Sequence, residues 1–108
     1  MATVYKVLGQ LNPSATTLTT LYTVPASNSA VSSSIAICNQ SVSTTVRVAI
    51  RPGGAAIDPK HYIIYDTNIN ANDTLFFTIG VTLAANDVVS VYAGTANVSF
   101  SLYGSEIY

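Results

Sequence analysis

Apolar and polar residues alternate along this chain with a period of two, in short runs separated by Gly, Pro, Asn and Asp. In residues 43–51, Val46, Val48 and Ile50 fall on one face and Arg47, Ala49 and Arg51 on the other. A pleated strand with one buried face requires this arrangement. The pattern returns in 73–81, where Leu75, Phe77 and Ile79 oppose Phe76 and Thr78. In 87–93, Val89 and Val91 oppose Val88, Ser90 and Tyr92; in 97–103, Val98, Phe100 and Leu102 oppose Ser99, Ser101 and Tyr103. Residues 3–8, stopping at Gly9 and set at a sheet edge, together with 16–24, 34–39 and 60–66, complete eight predicted strands.

Between the strands, Asn12-Pro13-Ser14, Pro52-Gly53-Gly54, Asp58-Pro59 and Gly104 read as turns or stops. The Ser-rich residues 26–33 read as a mobile loop and the Asn-rich 67–72 as a linker. Ala71-Asn72-Asp73 and Ala85-Asn86-Asp87, 14 positions apart, each introduce a β-rich run. Asn and Asp suit such positions because they tolerate left-handed backbone and bond their own main chain. No window of 11 residues carries an apolar period of 3.6, so helix content is expected to be almost nil. The expectation is a single all-β domain over residues 1–108, a two-sheet antiparallel β-sandwich of jelly-roll-like form. The pattern leaves strand order open.

Composition adds a second layer. Only 8% of the 108 residues are charged and the net charge is −1, against roughly 25% charged in an average soluble domain. Polarity comes instead from 13 Thr, 12 Ser and 8 Asn, which can be covered by another protein without desolvating ions. This composition favours an assembled, structural role. Lys6, Arg47, Arg51 and Lys60 are the only cations, too few for a nucleic-acid footprint. No apolar run reaches the roughly 18 residues of a membrane span. Residues 1–10 show no basic region followed by an apolar core, so synthesis in a cytoplasm is expected.

The chemical inventory is thin. His61 is the single histidine and Cys38 the single cysteine, and neither a Gly-x-Ser-x-Gly nor a Ser-x-x-Lys motif occurs. One His and one Cys do not close a zinc site, and Asp58, Asp66, Asp73 and Asp87 lack the spacing of a calcium loop. Gly53-Gly54 is followed by no helix that could hold a phosphate. No catalytic residue, metal or cofactor is therefore expected. Surface remains. Arg47 and Arg51 are candidates for bidentate bonds to carboxylates of a neighbouring subunit, unless they are simply solvated. Tyr62, Tyr65, Tyr92, Tyr103 and Tyr108 offer amphipathic contact area, or else plug the ends of the sandwich. The apolar ending through Ile107 and Tyr108 predicts a C-terminus tied down on its own sheet or on a neighbour's. Arg47, Arg51, Tyr103, Ile107 and Tyr108 form the expected partner interface.

Tyr5-Lys6-Val7-Leu8-Gly9-Gln10, Leu21-Tyr22-Thr23-Val24-Pro25, the stretch from Arg47 to Pro52, Lys60-His61-Tyr62 and Phe100-Ser101-Leu102-Tyr103-Gly104-Ser105-Glu106-Ile107 resemble a family of small β-rich virion proteins of tailed bacteriophages. The resemblance spans nearly the whole chain. It implies an accessory protein of the particle that has no enzyme activity, works as a homo-oligomer and is located in the virion. Within that class it points to a capsid decoration, or cement, protein bracing neighbouring copies of the major capsid protein. A trimer would match the local threefold positions of an icosahedral shell. A tail, baseplate or fibre component with a host-surface or glycan-binding role is the rival.

Overall fold

The computed structural model describes residues 2–108, and they form two antiparallel sheets packed face to face. Nine strands follow in order: β1 (Thr3–Leu11), β2 (Thr19–Thr23), β3 (Ser29–Asn39), β4 (Thr44–Arg51), β5 (Tyr62–Ile69), β6 (Thr74–Phe77), β7 (Val81–Leu83), β8 (Val88–Ala93) and β9 (Val98–Ile107). The first sheet runs β1-β9-β3-β6, with β7 also paired to β3, and the second runs β2-β8-β4-β5. With β6 and β7 counted as one broken strand, the first strand pairs the last, the second pairs the last but one, and so on inward. This is a long hairpin rolled into two sheets, the jelly roll, and the expected fold is the observed one.

The core is a single cluster between the sheets. The first sheet contributes Ile35, Ile37, Phe100 and Leu102; the second contributes Val46, Val48, Val89 and Val91. These are the inward positions of the period-two runs, so alternation in the sequence became burial in the structure. Two short 3₁₀ turns, Pro52–Gly54 and Pro59–His61, are the helical content among the described residues.

Several boundaries differ from the sequence reading. β1 does not stop at Gly9, nor β9 at Gly104. A Cβ on Gly9 would fall on the carbonyl oxygen of Leu21, and one on Gly104 on that of Val31. These glycines mark close backbone approach inside strands instead of strand ends. The expected loop 26–33 is largely strand, because β3 begins at Ser29 and is bonded on one side to β9 and on the other to β7. Pairing on both sides overrides the weak β preference of serine. β5 runs on to Ile69, into the expected linker, since Thr44 and Thr45 of β4 pair with Ile69 and Asn68. Residues 73–81 are not one strand: β6 ends at Phe77 and β7 begins at Val81, opposite a register shift in β3 between Ser32 and Ser34. At the other end of the chain, Thr16–Leu18 lie outside β2.

The repeated turns behave as their chemistry requires. Asn72 (φ 58°) and Asn86 (φ 69°) are left-handed. The Asp73 N–H donates to Asn70 O, and the Asp87 N–H to Ala84 O. Asp73 accepts from the Thr74 N–H, while Asp87 accepts from Ala84 N–H and Gly53 N–H, both at 2.8 Å.

Candidate interaction surfaces

The two outer faces of the sandwich carry different chemistry. On the first sheet, the register lines up outward side chains in rows: Tyr5, Ser105, Val31 and Thr82 in one, and Gln10, Ser101, Ala36 and Phe76 in another. Tyr103 and Ile107 stand between Val7 and Ser34 and between Thr3 and Ser29. Among the described residues, no outward side chain of this sheet is charged. Tyr5 is 85% exposed and Phe76 71%, with Val7 and Val31 also open to solvent. The sheet's own charged residues, Lys6 and Glu106, alternate to the other side.

Glu106 is buried there. Tyr22 Oη of the opposite sheet donates to its Oε2 at 2.5 Å, and Lys6 Nζ to its Oε1 at 3.2 Å. The bond from Tyr22 holds the carboxyl below the usual range, with burial opposing and Lys6 assisting. Burial, and then the bond to Glu106, push the Tyr22 phenol up. A second polar anchor, Asn39, is fully buried at the end of β3. Its Nδ2 faces the carbonyls of Val42 (2.7 Å), Asn70 (3.1 Å) and Ile69 (3.3 Å), and its Oδ1 accepts from Ser41 N–H. In the sequence Asn39 is the last residue of a predicted strand and Glu106 stands beside the apolar ending Ile107-Tyr108. Only their position between sheets reveals the role of either.

The outer face of the second sheet is where the charges gather. Val46 pairs with Thr67 and Val48 with Ile64, so β5 holds one extra residue opposite Arg47. This bulge, with Asp66 left-handed (φ 50°), turns both Tyr65 and Asp66 toward the same guanidinium. Arg47 Nε donates to Asp66 Oδ1 at 2.6 Å and Nη2 to Oδ2 at 3.3 Å. The guanidinium stacks on Tyr65 (4.4 Å to the ring centroid) and Tyr92 (4.3 Å), and the Asp66 bond raises its already high pKa. A second register shift brings Tyr62 opposite Ala49, with its ring edge-on to Tyr65 at 4.9 Å.

Residues 52–61 fold back over this face. Arg51 donates to Ala55 O (2.7 Å), Gly54 O (3.1 Å) and Ser90 Oγ (3.1 Å), and Ala49 and Ser90 are buried although they alternate outward. Asp58 caps the Pro59–His61 turn by accepting from Lys60 N–H, while its own N–H donates to His61 Nδ1 at 3.1 Å. Between this turn and β5 lies an open cleft of about 490 Å³ lined by Ile57, Asp58, Pro59, Tyr62 and Tyr65.

The five expected interface residues therefore do not form one surface. Tyr103 and Ile107 belong to the uncharged face, and Tyr108 follows at its end. Arg47 and Arg51 lie on the opposite sheet, where they bond their own chain's Asp66 and 52–55 turn. The C-terminus is tied to its own sheet: Tyr108 N–H donates to Ala2 O at 2.9 Å, and Ala2 N–H to Tyr108 O.

A jelly roll with one uncharged face and one aromatic, ion-paired face is the class the structure defines. No protein-family model matches the chain, and no curated protein matches it. Among solved structures it is similar to a chain in the structure of infectious bursal disease virus, Gx strain, with a TM-score of 0.50 and 9% identity. The match covers 97% of this chain and 32% of the other, so this chain spans about a third of that one's length. At that identity the likeness shows the fold.

Proposed function

We propose that this protein is a structural component of a virus particle, and more closely a capsid decoration protein of a tailed bacteriophage, located in the virion and made in the host cytoplasm. In this reading it has no enzyme activity, requires no cofactor, and binds neither nucleic acid nor membrane. It sits as a homo-oligomer, in keeping with a trimer, on the major capsid protein. The observation that carries the reading is the uncharged outer face of the β1-β9-β3-β6 sheet. With strands about 4.8 Å apart and a rise of about 3.3 Å per residue, that face covers on the order of 600 Å² in projection. A stable interface takes about 800 Å² from each partner, so the face has the scale of a contact and desolvates no ion when covered. Many copies on a lattice add avidity to modest single contacts. Jelly rolls recur in viral shells, and the similar solved chain comes from a virus structure.

The absence of catalysis is supported by His61, whose ring is buried in the turn and whose Nδ1 accepts from a main-chain N–H instead of facing a nucleophile. Three of the four cations are engaged by intrachain bonds, which leaves little to attract phosphates. Cryo-EM of the virion that encodes the protein, with immunogold labelling, tests the proposal. Density in many copies on the head is expected; labelling confined to the tail would sink it.

A further inference from the structure

We infer that the cleft between the 59–61 turn and β5 binds a neutral sugar ring, a hexopyranose at the end of a glycan. The cleft's volume, about 490 Å³, falls within the range of small-molecule sites. Its walls combine two tyrosine rings, the aliphatic Ile57 and Pro59, and one carboxylate, Asp58. Tyr62 and Tyr65 meet edge to face, and Tyr65 is 57% exposed. Such a ring offers a flat apolar surface to the C–H face of a pyranose.

The polar groups select among ligands. Asp58 accepts from the Lys60 N–H and, in the capping box, from the His61 N–H; its exposed carboxylate has about four lone-pair sites, so an oxygen can still accept at the cleft. A ligand rich in hydroxyl donors satisfies that oxygen. A proline-rich peptide, which also favours aromatic grooves, lacks main-chain N–H groups at its prolines and would offer that oxygen fewer donors than a sugar's hydroxyls. A cationic ligand is disfavoured because the Arg47 guanidinium already stacks on Tyr65. The site is built before any ligand arrives. Pro59 fixes the turn, Asp58 N–H is held by His61, and Arg47 with Asp66 sets Tyr65. The cleft opens on the sheet opposite the uncharged face, so it stays accessible when that face is covered.

The test is a glycan array probed with the full-length protein, followed by NMR titration of the positive glycans. Saturable binding is expected, with shifts centred on residues 57–66. Affinity should fall at least tenfold in Tyr65→Ala and in Asp58→Asn, since Asn retains the oxygen that caps the turn but not the charge. Tyr65→Phe should retain most of the affinity, which separates loss of the ring from loss of the fold. No glycan bound at millimolar concentration, affinity unchanged in Asp58→Asn, or a prolyl peptide competing for the same amides would each overturn the inference. None of these outcomes bears on the opposite face, which is tested on the particle.

Discussion

Glu106 shows how one residue couples the two sheets and makes stability depend on pH. Its folded carboxyl has a lowered pKa, so on acidification the unfolded chain takes up the proton first. The stabilisation is complete above the ordinary carboxylate value of about 4.3 and is lost as pH falls through the lowered one. Tyr22 works in the other direction. Its phenol is pushed up, so above about pH 10 the unfolded tyrosine ionises first and stability declines as pH rises. Tyr22→Phe should therefore cost about 2 kcal/mol at neutral pH, the range of a hydrogen bond to a buried charged group. Thermal melts from pH 2 to pH 8 should show that gap narrowing toward acid; a gap independent of pH would mean that the bond is not its source. The sequence gives no hint of the pair, because 84 positions separate the two residues and period-two alternation does not specify which inward residue meets which. Asn72 and Asn86 lie at the opposite extreme. Their left-handed turns follow from local chemistry, and the repeated Ala-Asn-Asp signal located them.

At the scale of elements, glycine was the misleading signal. Gly9 and Gly104 look like strand stops, yet both strands pass through them because a neighbouring backbone lies where a Cβ would be. Gly104→Ala would press its methyl on the Val31 carbonyl and bring it within 2.9 Å of Ser32 Cα. Since β9 is bonded to both β1 and β3, neither neighbour can yield freely, and a loss of roughly 2–3 kcal/mol is expected. Gly80→Ala is the control. A Cβ there meets nothing within 4 Å, and urea unfolding should detect little change. Bulges were equally hidden. The extra residue of β5 opposite Arg47 created the Arg47, Tyr65, Tyr92 and Asp66 cluster, and a strict alternation would have sent Tyr65 and Asp66 to opposite faces.

For the whole molecule, the decisive property is the separation of charge between faces. Phe76→Asp would place a carboxylate within the uncharged face at an exposed position, so the monomer's stability should change by no more than about 0.5 kcal/mol. Self-association should be lost, because each copy in an interface would then bury an unpaired charge. Asn68→Asp on the other sheet should leave the oligomer intact. Native mass spectrometry of the three proteins measures this directly, and a wild-type chain that is monomeric at every concentration would count against the reading. Fold class was legible because it rests on local rules: alternation defines the strands, turn residues separate them, and a chain of this length must pack its apolar faces together. What the sequence by itself determined was therefore an all-β sandwich with a low-charge skin. Strand order, the bulges, the buried Asn39 and Glu106 and the division of the five candidate residues between opposite faces were decided by tertiary structure alone. They depend on contacts between residues far apart in the chain, and the energy of such contacts is set only when both partners are brought together.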